Sequence, residues 1–352
     1  MSLMINWKNV VEVVVKGSLP FPKSCIRGIA RKSVLSWEDV PPPKDGDNSM
    51  LVEIRRTLKT VITTNQIKRV GVWLSGGIDS SLLLALSAEV LGPENVTGYT
   101  LAFETVDESH WAKLAADYVG CKIIVKEMGF EENRDLFREA VKNEMSPISS
   151  STQVLKIARL CRKQGDAKVF SALGLDELCG GYPGHVRASD ADFPQVERDF
   201  YDFCNYHFAW MQEMQSRSAI ELFFPYLEPE LISICRGYPR SYKTRGEETK
   251  VRIRDELHNE KVLPNEIIER GRKAGSKKGF HPDIPTWWKD GLQEWVENNL
   301  PPKAPFGPGL RLWIARQRRP RNMWFLWRLA SVNVFREVVE ELYPETAVTN
   351  KS

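Results

Sequence analysis

The sequence has no long apolar run, and this argues against a membrane protein built on spanning helices. The chain has 352 residues, yet no stretch reaches the roughly 18 uninterrupted apolar residues of a membrane span. A short apolar stretch over 10–15 is broken by Glu12, and it lacks the basic start and small-residue cleavage site of a signal peptide. We therefore expect a soluble, cytoplasmic protein.

Cysteine is scarce, and no two cysteines stand close together in the chain. The six cysteines are Cys25, Cys121, Cys161, Cys179, Cys204 and Cys235. None of them forms the CxxC spacing of a zinc site or a redox dithiol, so neither kind of centre is indicated. We expect reduced thiols, most of them buried, as is usual in a cytosolic protein.

The chain also lacks a large excess of charge of one sign, because the formal net charge is only +3. This small excess argues against nucleic acid as the main partner. Hydrophobic residues make up 42% and charged residues 27% of the chain, which is typical of a globular protein and not of a disordered one. The length suits one large domain or two ordinary ones.

From residue 50 onward, short β-prone runs alternate with amphipathic helical patterns. Such alternation predicts an α/β fold, with a parallel twisted sheet flanked by helices on both faces. Beyond Asp190 the strand signal fades and helices joined by proline-rich loops follow, so we expect an α-helical C-terminal part. The predicted units are a leader and linker over 1–49, a nucleotide-binding core over 50–190 and a mainly helical part over 191–352. Strands are predicted over 69–74, 96–103, 122–125 and 168–173, and helices over 51–63, 80–91, 109–119, 131–142 and 153–162.

The strongest local signal is the loop SGGIDS over 75–80, which stands between a predicted strand and a predicted helix. Glycines let a backbone approach a phosphate closely, and a helix N terminus offers free amide groups and a positive dipole end. Asp79 would repel a phosphate on its own, but a carboxylate there can hold a Mg²⁺ that bridges phosphate oxygens. The plain alternative is a turn followed by an N-capping Asp79.

This loop resembles the PP-loop of the ATP pyrophosphatase superfamily, whose members cleave ATP between the α and β phosphates and form adenylates. It matches neither the Walker loop nor the dinucleotide GxGxxG fingerprint. The resemblance implies ATP as the nucleotide. It also implies that the nucleotide contacts lie at Ser75, Gly76, Gly77, Asp79 and Ser80.

Further segments are similar to the C-terminal synthetase domain of asparagine synthetases, a family that also includes β-lactam synthetases and lasso-peptide cyclases. These segments are SALGLDELCGGY over 171–182, ELFFPYLE over 221–228 and LPNEIIER over 263–270. The resemblance implies an ATP-dependent ligase that adenylylates a carboxylate, releases pyrophosphate and forms an amide or a lactam.

The same resemblance extends the candidate site beyond the loop. Asp176 lies at the end of a predicted strand, where open α/β sheets bind ligands, and it is the expected second Mg²⁺ carboxylate beside Asp79. A helix-capping role is the alternative for Asp176. Leu101 and Gly174 are further expected nucleotide contacts, and Glu221 is an expected catalytic residue.

A cationic, glycine-rich stretch over 270–279 follows these segments. A flexible cationic loop suits a leaving pyrophosphate, because negative charge accumulates on it in the transition state. The family's catalytic lysine falls in this stretch. A gapless register places Arg272 there, but we favour Lys273 because a lysine can also tune its pKa for proton transfer. Lys277 and Lys278 stay open as alternatives.

The chain departs from asparagine synthetases at three places. Ser2 stands where they carry a catalytic cysteine, and only about seventy residues precede the loop, so we expect a stand-alone synthetase domain without a glutaminase. Ammonia or an amine would then come from solution, from the substrate or from a separate glutaminase subunit. Leu173 replaces a glutamate that acts near the amine-attack step, and Phe223 replaces an arginine. These changes leave the acceptor open, and the sequence is compatible with a small-molecule or peptide carboxylate substrate and with a homodimer.

The segment over 310–328 combines six arginines with three tryptophans. Such a segment can bind nucleic acid or a protein partner, but we favour a helix with its tryptophans packed inward. Two rival functions remain. One is a PP-loop enzyme that activates a nucleic-acid base in tRNA modification, and the other is a catalytically degenerate subunit.

Overall fold

The structure is a computed structural model that describes residues 49–103, 108–144, 151–274, 284–299 and 320–344, together with 10, 37–41 and 43. The strands are β1 Val70–Trp73, β2 Val96–Ala102, β3 Lys122–Glu127, β4 Lys168–Phe170, β5 Glu221–Phe223, β6 Thr244–Arg245 and β7 Glu248–Thr249. The helices are α1 Met50–Thr64, α2 Ile78–Leu91, α3 Ser109–Val119, α4 Phe130–Glu144, α5 Ser151–Lys163, α6 Leu175–Leu178, α7 Pro183–Arg187, α8 Phe193–Ser218, α9 Pro229–Gly237, α10 Arg240–Lys243, α11 Val251–Glu260, α12 Asn265–Glu269, α13 Ile284–Trp287, α14 Gln293–Asn299 and α15 Pro320–Leu342.

Five strands form one parallel sheet in the order β3-β2-β1-β4-β5. All seven residues of β2 are buried, as expected for a strand that is covered on both faces. Helices that connect the strands supply this cover, and the sheet with its flanking helices forms the hydrophobic core. The predicted α/β class, with its parallel sheet flanked by helices, is confirmed.

The order of the strands determines where a ligand can bind. From β1 the chain moves outward through β2 to β3, and it then returns to place β4 on the other side of β1. The loops that follow β1 and β4 therefore diverge and leave a crevice at the carboxyl edge of the sheet. The loop over 75–80 follows β1 and Asp176 follows β4, so this topology brings both to the same crevice.

The region after residue 190 contributes strands that its sequence pattern does not show. Strand β5 pairs with β4 and extends the main sheet, whereas β6 and β7 form a separate antiparallel hairpin. These strands have only two or three residues each, which is too short for a period of two to emerge. The other regular elements in the described part of this region are helices, as expected, and they include the 26-residue α8.

A carboxylate of α11 fixes the beginning of α1. The amides of Met50 and Leu51 and the hydroxyl of Ser49 all donate to Glu256, at 3.2, 2.8 and 2.8 Å respectively. These amides belong to the unpaired N terminus of α1, where a negative charge is favourable. Glu256 therefore joins a helix of the C-terminal part to α1, which precedes the first strand of the sheet.

The C-terminal helix α15 packs with Trp327 inward. The ring of Trp327 lies 6.4 Å from that of Trp287 and 6.1 Å from that of Phe137. For this tryptophan the structure therefore agrees with the expected helix whose tryptophans pack inward. On the outer surface, Arg138 of α4 pairs with Glu337 and Glu341 of α15. The five cysteines in the described part of the chain are free and buried. No helix among the described residues is long and apolar enough to cross a membrane.

His185 of α7 is fully buried, and its Nδ1 atom accepts a hydrogen bond from the amide of Tyr182 at 3.3 Å. Burial, aided by the ammonium groups of Lys243 and Lys250, lowers the pKa of His185 from 6.5 to about 4, while Asp176 opposes this shift. The unfolded chain therefore binds more protons than the native protein below about pH 6.5. The contribution of His185 to stability is present at neutral pH and is lost as the pH falls toward 4.

We expect the protonation of His185 in the unfolded chain to lower the free energy of unfolding by about 2 kcal/mol as the pH falls from 7 to 4.5. The His185→Asn variant keeps an acceptor near the position of Nδ1 but cannot titrate. Urea unfolding at both pH values should therefore show a smaller loss in this variant than in the wild-type protein. Equal losses in the two proteins would show that His185 is not the titrating group.

Candidate active site

The loop over 75–80 is closed by its own serines. The hydroxyl of Ser80 accepts a hydrogen bond from the amide of Ser75 at 3.1 Å and donates to the carbonyl of Gly77 at 3.2 Å. The hydroxyl of Ser75 lies 3.1 Å from that of Ser80 and accepts from the amide of Gly77. No side chain in the described part of the chain caps the N terminus of α2. The first amides of this helix are therefore left for an anionic ligand.

Gly76 has a conformation and a position that only glycine tolerates. Its φ is +67°, and a Cβ atom there would lie 2.4 Å from Cβ of Trp111 and 2.5 Å from the amide nitrogen of Ala112. The start of α3 therefore packs directly against the loop backbone. A side chain at this position would push the loop away from α3.

Asp79 and Asp176 meet at one ammonium group. The Nζ atom of Lys250, which precedes α11, contacts a carboxylate oxygen of each aspartate. The exposed fractions of Lys250 and Asp79 are only 4% and 8%, whereas the side chain of Asp176 is 35% exposed. The three charges lie at the carboxyl edge of β1 and β4, beside the loop over 75–80.

The electrostatics of this cluster keep its ammonium group charged. Burial on its own would lower the pKa of Lys250, but Asp176 and Asp79 outweigh it, and the pKa of Lys250 is raised. Lys250 therefore stays charged between the two carboxylates. Two carboxylates that converge on one cation are hard oxygen donors of the kind that Mg²⁺ prefers, with phosphate oxygens and water as its other ligands. Within the described residues no group of three His, Cys, Asp or Glu side chains gathers as a metal site.

Gly181 leaves the space that the Asp176 carboxylate occupies. A Cβ atom on Gly181 would lie 1.9 Å from an Oδ1 atom of Asp176 and 2.7 Å from its Cα atom. The amide of Gly181 also donates to the carbonyl of Asp176 at 2.7 Å. The glycine pair after α6 is therefore more than a turn, because it allows the backbone to pass close to the aspartate.

The described part of the cationic stretch is not a free loop, and this corrects the expectation of a flexible segment. The amide of Thr249 donates to the carbonyl of Arg272 at 2.9 Å, and that of Ala274 donates to Glu247 at 3.0 Å. Lys273 forms an antiparallel bridge with Glu248. Residues 272–274 therefore lie along the β6–β7 hairpin, where backbone hydrogen bonds hold them.

Arg270 joins this stretch to the loop after β1. Its guanidinium donates to the carbonyl of Gly76 at 2.8 Å and to Glu108 at 2.6 Å. It also lies over the ring of Trp111, with Cζ 5.1 Å from the ring centroid. From the other side, the buried Arg254 donates to backbone carbonyls at Thr249, Ile268 and Arg270. The two arginines fix the position of the cationic stretch relative to the site.

The two candidate catalytic cations differ in how firmly they are held. Arg272 donates to Glu269 at 2.6 Å and to Glu248 at 3.2 Å, and the hydrogen bond to Glu269 raises its pKa. The side chain of Lys273 is 73% exposed, and its ammonium lies 3.7 Å from Glu247. Lys273 is therefore the more movable of the two. Lys277 and Lys278 lie outside the described residues.

The other candidate residues divide between the two edges of the sheet. Leu101 is buried near the carboxyl end of β2, and Gly174 begins α6, with its amide donating to Glu177 at 3.2 Å. Glu221 is the first residue of β5 and lies 3.9 Å from Lys168, the first residue of β4. The strands are parallel, so Glu221 lies at the amino edge, opposite the crevice. We therefore propose no catalytic role for Glu221.

The carboxyl edge carries apolar side chains at Leu173 and Phe223, two of the three positions at which the sequence departs from asparagine synthetases. Leu173 is half-buried directly before Gly174, and Phe223 ends β5 with its ring 6.0 Å from that of Phe170. Neither side chain can donate or accept a proton. The edge beside Asp176 is therefore less polar than the segments of the family imply.

Lys250 and Arg270 are functional candidates that the sequence did not reveal. Lys250 stands in the run GEETKVR, where a lysine before a helix has no distinctive pattern. Its one local peculiarity is a left-handed backbone with φ of 54°, which a sequence does not display. Arg270 is part of a recognised cationic stretch, but its contact with the loop spans 194 residues of chain.

Comparison with known proteins agrees with these motifs. The family model described as asparagine synthase matches residues 54–215 and 197–347. The glutamine-hydrolysing asparagine synthetase of Rattus norvegicus is 24% identical over 265 residues, covering 72% of this chain and 46% of that protein. The probable asparagine synthetase of Acanthamoeba polyphaga mimivirus is 29% identical over 236 residues, covering 63% of this chain and 42% of that protein. The chain thus spans less than half the length of these relatives.

Among solved structures, an NH3-dependent NAD synthetase from Campylobacter jejuni has a TM-score of 0.34 at 15% identity, covering 79% of this chain and 94% of that chain. Likeness at this level supports no statement about activity. The match of the family model covers most of the chain, and it includes the loop over 75–80, Asp176 and Lys250. The chain therefore belongs to the asparagine synthase family.

Proposed function

We propose that this protein adenylylates a substrate carboxylate with ATP, releases pyrophosphate and then forms an amide or lactam bond. The observation that carries this proposal is the meeting of Asp79, Lys250 and Asp176 beside the loop over 75–80. That arrangement combines an anion-binding helix terminus with two carboxylates and a buried cation. These are the components that the binding of a nucleoside triphosphate with its Mg²⁺ requires.

Each element of the site has a separate task in this proposal. The amides at the start of α2, with the hydroxyls of Ser75 and Ser80, bind the β and γ phosphates. Asp79 and Asp176 would hold Mg²⁺, which supplies charge compensation for the phosphates. When the nucleotide binds, the ammonium of Lys250 turns from the two aspartates toward a phosphate oxygen. Lys273 meets the charge that develops on the leaving pyrophosphate.

The second half-reaction needs a nitrogen nucleophile that attacks the acyl adenylate and displaces AMP. The glutamine-hydrolysing relatives are named for their nitrogen source, and we propose ammonia or an amine as the nucleophile here. Leu173 cannot bind an ammonium ion or take its proton. The nucleophile must therefore lose its proton to another group, such as the substrate or water, and an amine with an apolar body fits this edge better than free ammonium.

The direct test is incubation with ATP, Mg²⁺ and pools of candidate carboxylic acids. We expect pyrophosphate release and an acyl-AMP adduct that mass spectrometry detects for at least one acid. A degenerate subunit would give neither product with any pool. An adduct on tRNA instead of on an acid would favour activation of a nucleic-acid base.

Removal of Asp79 should abolish the first half-reaction. The Asp79→Ala variant lacks one of the two carboxylates, so we expect ATP–pyrophosphate exchange to fall by at least about 10²-fold while circular dichroism stays unchanged. The exposed Asp117 of α3 provides a control, because Asp117→Ala removes the same group away from the site. Exchange that persists in Asp79→Ala would remove Asp79 from the metal role.

Lys250 can be tested against a closely matched lysine. Lys250 and Lys261 flank α11, and both have a left-handed backbone with φ of 54°, but Lys261 is exposed. We expect Lys250→Met to reduce exchange by at least about 10²-fold, whereas Lys261→Met should retain wild-type exchange. Equal activity of the two variants would show that the buried ammonium has no part in the reaction.

Substitutions of Lys273 and Arg272 should have different effects, the first on the rate of adenylate formation and the second on stability. We expect Lys273→Ala to slow adenylate formation by about 10²- to 10³-fold in single-turnover kinetics, with ATP affinity changed little, because the charge acts in the transition state. Arg272→Ala breaks pairs with Glu248 and Glu269. It should therefore lower the melting temperature more than Lys273→Ala does. A slow step in Arg272→Ala alone would transfer the catalytic role to Arg272.

A further inference from the structure

A second cleft lies away from the phosphate site, between the first turn of α8, the end of α9 and the β6–β7 hairpin. Its volume is about 630 Å³, which lies within the range of small-molecule sites. Phe193 and Glu197 of α8, Arg236 and Tyr238 near the end of α9, Arg240 of α10 and Thr244 of β6 contribute to its lining. Asp79, Asp176 and Lys250 are not among the described residues that line it.

Two arginines and two acidic residues, Asp190 and Glu197, are among the residues that line this cleft. The guanidinium of Arg236 stacks over Trp37, 4.2 Å from the ring centroid, and its contacts with backbone carbonyls are long, at 3.4 and 3.5 Å. Arg240 pairs with Asp190 and donates to the carbonyl of Val186 at 3.2 Å. The side chain of Asp190 is 91% exposed, so water weakens that pair. The charge of Glu197 is compensated by its pair with the buried Lys243. The two guanidinium groups therefore supply the charge that remains available to a ligand.

Two polar groups of the cleft are buried without a hydrogen-bond partner in the described part of the chain. These are the hydroxyl of Thr244, whose residue is 6% exposed, and Nε of Arg240. Buried polar groups are nearly always hydrogen-bonded, so such exceptions mark places where another group completes the structure. A carboxylate offers two acceptor oxygens to guanidinium and hydroxyl donors of this kind.

The lining of the cleft also contains apolar groups. Phe193, Pro194, Tyr238 and Pro239 contribute aromatic rings and proline rings to it, and Arg240 lies over the ring of Phe193, with Cζ 5.7 Å from the ring centroid. A ligand that suits both kinds of group has an anionic end and an apolar body. Inorganic phosphate or acetate would satisfy only the cationic groups.

We propose that this cleft binds a small organic carboxylate with an apolar or aromatic body, at a site distinct from the phosphate site. Arg240 and Arg236 bind the carboxylate, the hydroxyl of Thr244 donates to it, and Phe193 and Tyr238 contact the apolar body. Thr244 also lies against the glycine pair that follows Asp176, since a Cβ atom on Gly180 would be 2.9 Å from its Cγ2 atom. Thr244, which lines the cleft, therefore also contacts the segment that follows Asp176 of the candidate active site.

Calorimetric titration of the full chain, without nucleotide, tests this proposal. The probe is N-acetyl-L-phenylalanine, and its primary amide is the matched neutral probe. We expect the acid to bind and the amide to bind at least about tenfold more weakly, because only the acid forms charge-assisted hydrogen bonds. Failure of the acid to bind at millimolar concentration, or equal affinity of acid and amide, would overturn the proposal.

Variants of Thr244 separate a binding role from a structural one. Thr244→Val removes a hydroxyl that has no described protein partner, so its melting temperature should not fall, yet its affinity for the acid should drop about three- to tenfold. Thr244→Ser keeps the hydroxyl and should bind within about twofold of wild type. Equal affinities in the two variants would contradict a hydrogen bond from Thr244.

Competition with Mg²⁺ and α,β-methylene ATP, an analogue that cannot be cleaved between the α and β phosphates, locates the probe. Saturating nucleotide should leave the acid bound. The Arg240→Met substitution should lower the affinity for the acid by about tenfold or more. Displacement of the acid by the nucleotide would place it in the phosphate site and overturn the assignment. This outcome is separable from failure of the proposed ligase activity, because every measurement here records binding and none requires turnover.

Discussion

The candidate site depends on one buried ammonium group held between two carboxylates. Lys250 contacts Asp79 after β1 and Asp176 after β4. Two like charges this close in a buried site would repel each other without a cation between them. The desolvation of the ammonium is offset because it forms two ion pairs and not one. The pKa of Lys250 is accordingly raised by the two aspartates.

Helix α11 connects this cluster to the rest of the fold. Lys250 precedes the helix, Arg254 in its second turn binds the backbone of the hairpin and of the cationic stretch, and Glu256 holds the N terminus of α1. One helix of the C-terminal part thus positions the cation, the cationic stretch and the first helix of the core. The crevice at the carboxyl edge of the sheet is completed by a segment that lies about 80 residues after β4 in the chain.

The sequence was sufficient for the parts of the structure that depend on local patterns. The first four strands of the sheet, the helices between them and the loop over 75–80 follow from periodicity, glycine positions and hydrophobic runs. The approach of Asp79 to Asp176 follows from the rule that parallel strands end at one edge of the sheet. The very short strands β5 to β7 were missed, because two or three residues show no period.

Contacts between distant segments were not predictable in the same way. Lys250 and Arg270 reach the loop through long-range packing that no local pattern encodes. Glu221 was assigned from a similar segment, but its place at the start of a parallel strand puts it at the wrong edge. The apolar Leu173 and Phe223 were visible in the sequence, and in the structure both are half-buried and packed against the hydrophobic core.

The most direct measurement of the central claim is the affinity for Mn²⁺, used in place of Mg²⁺ and followed by electron paramagnetic resonance in the presence of α,β-methylene ATP. If Asp79 and Asp176 hold one cation, Asp79→Asn and Asp176→Asn should each weaken Mn²⁺ binding by about tenfold or more, with strong coupling in the double variant. Additive effects of the two substitutions, or unchanged affinity in either variant, would contradict a shared cation site at this edge of the sheet.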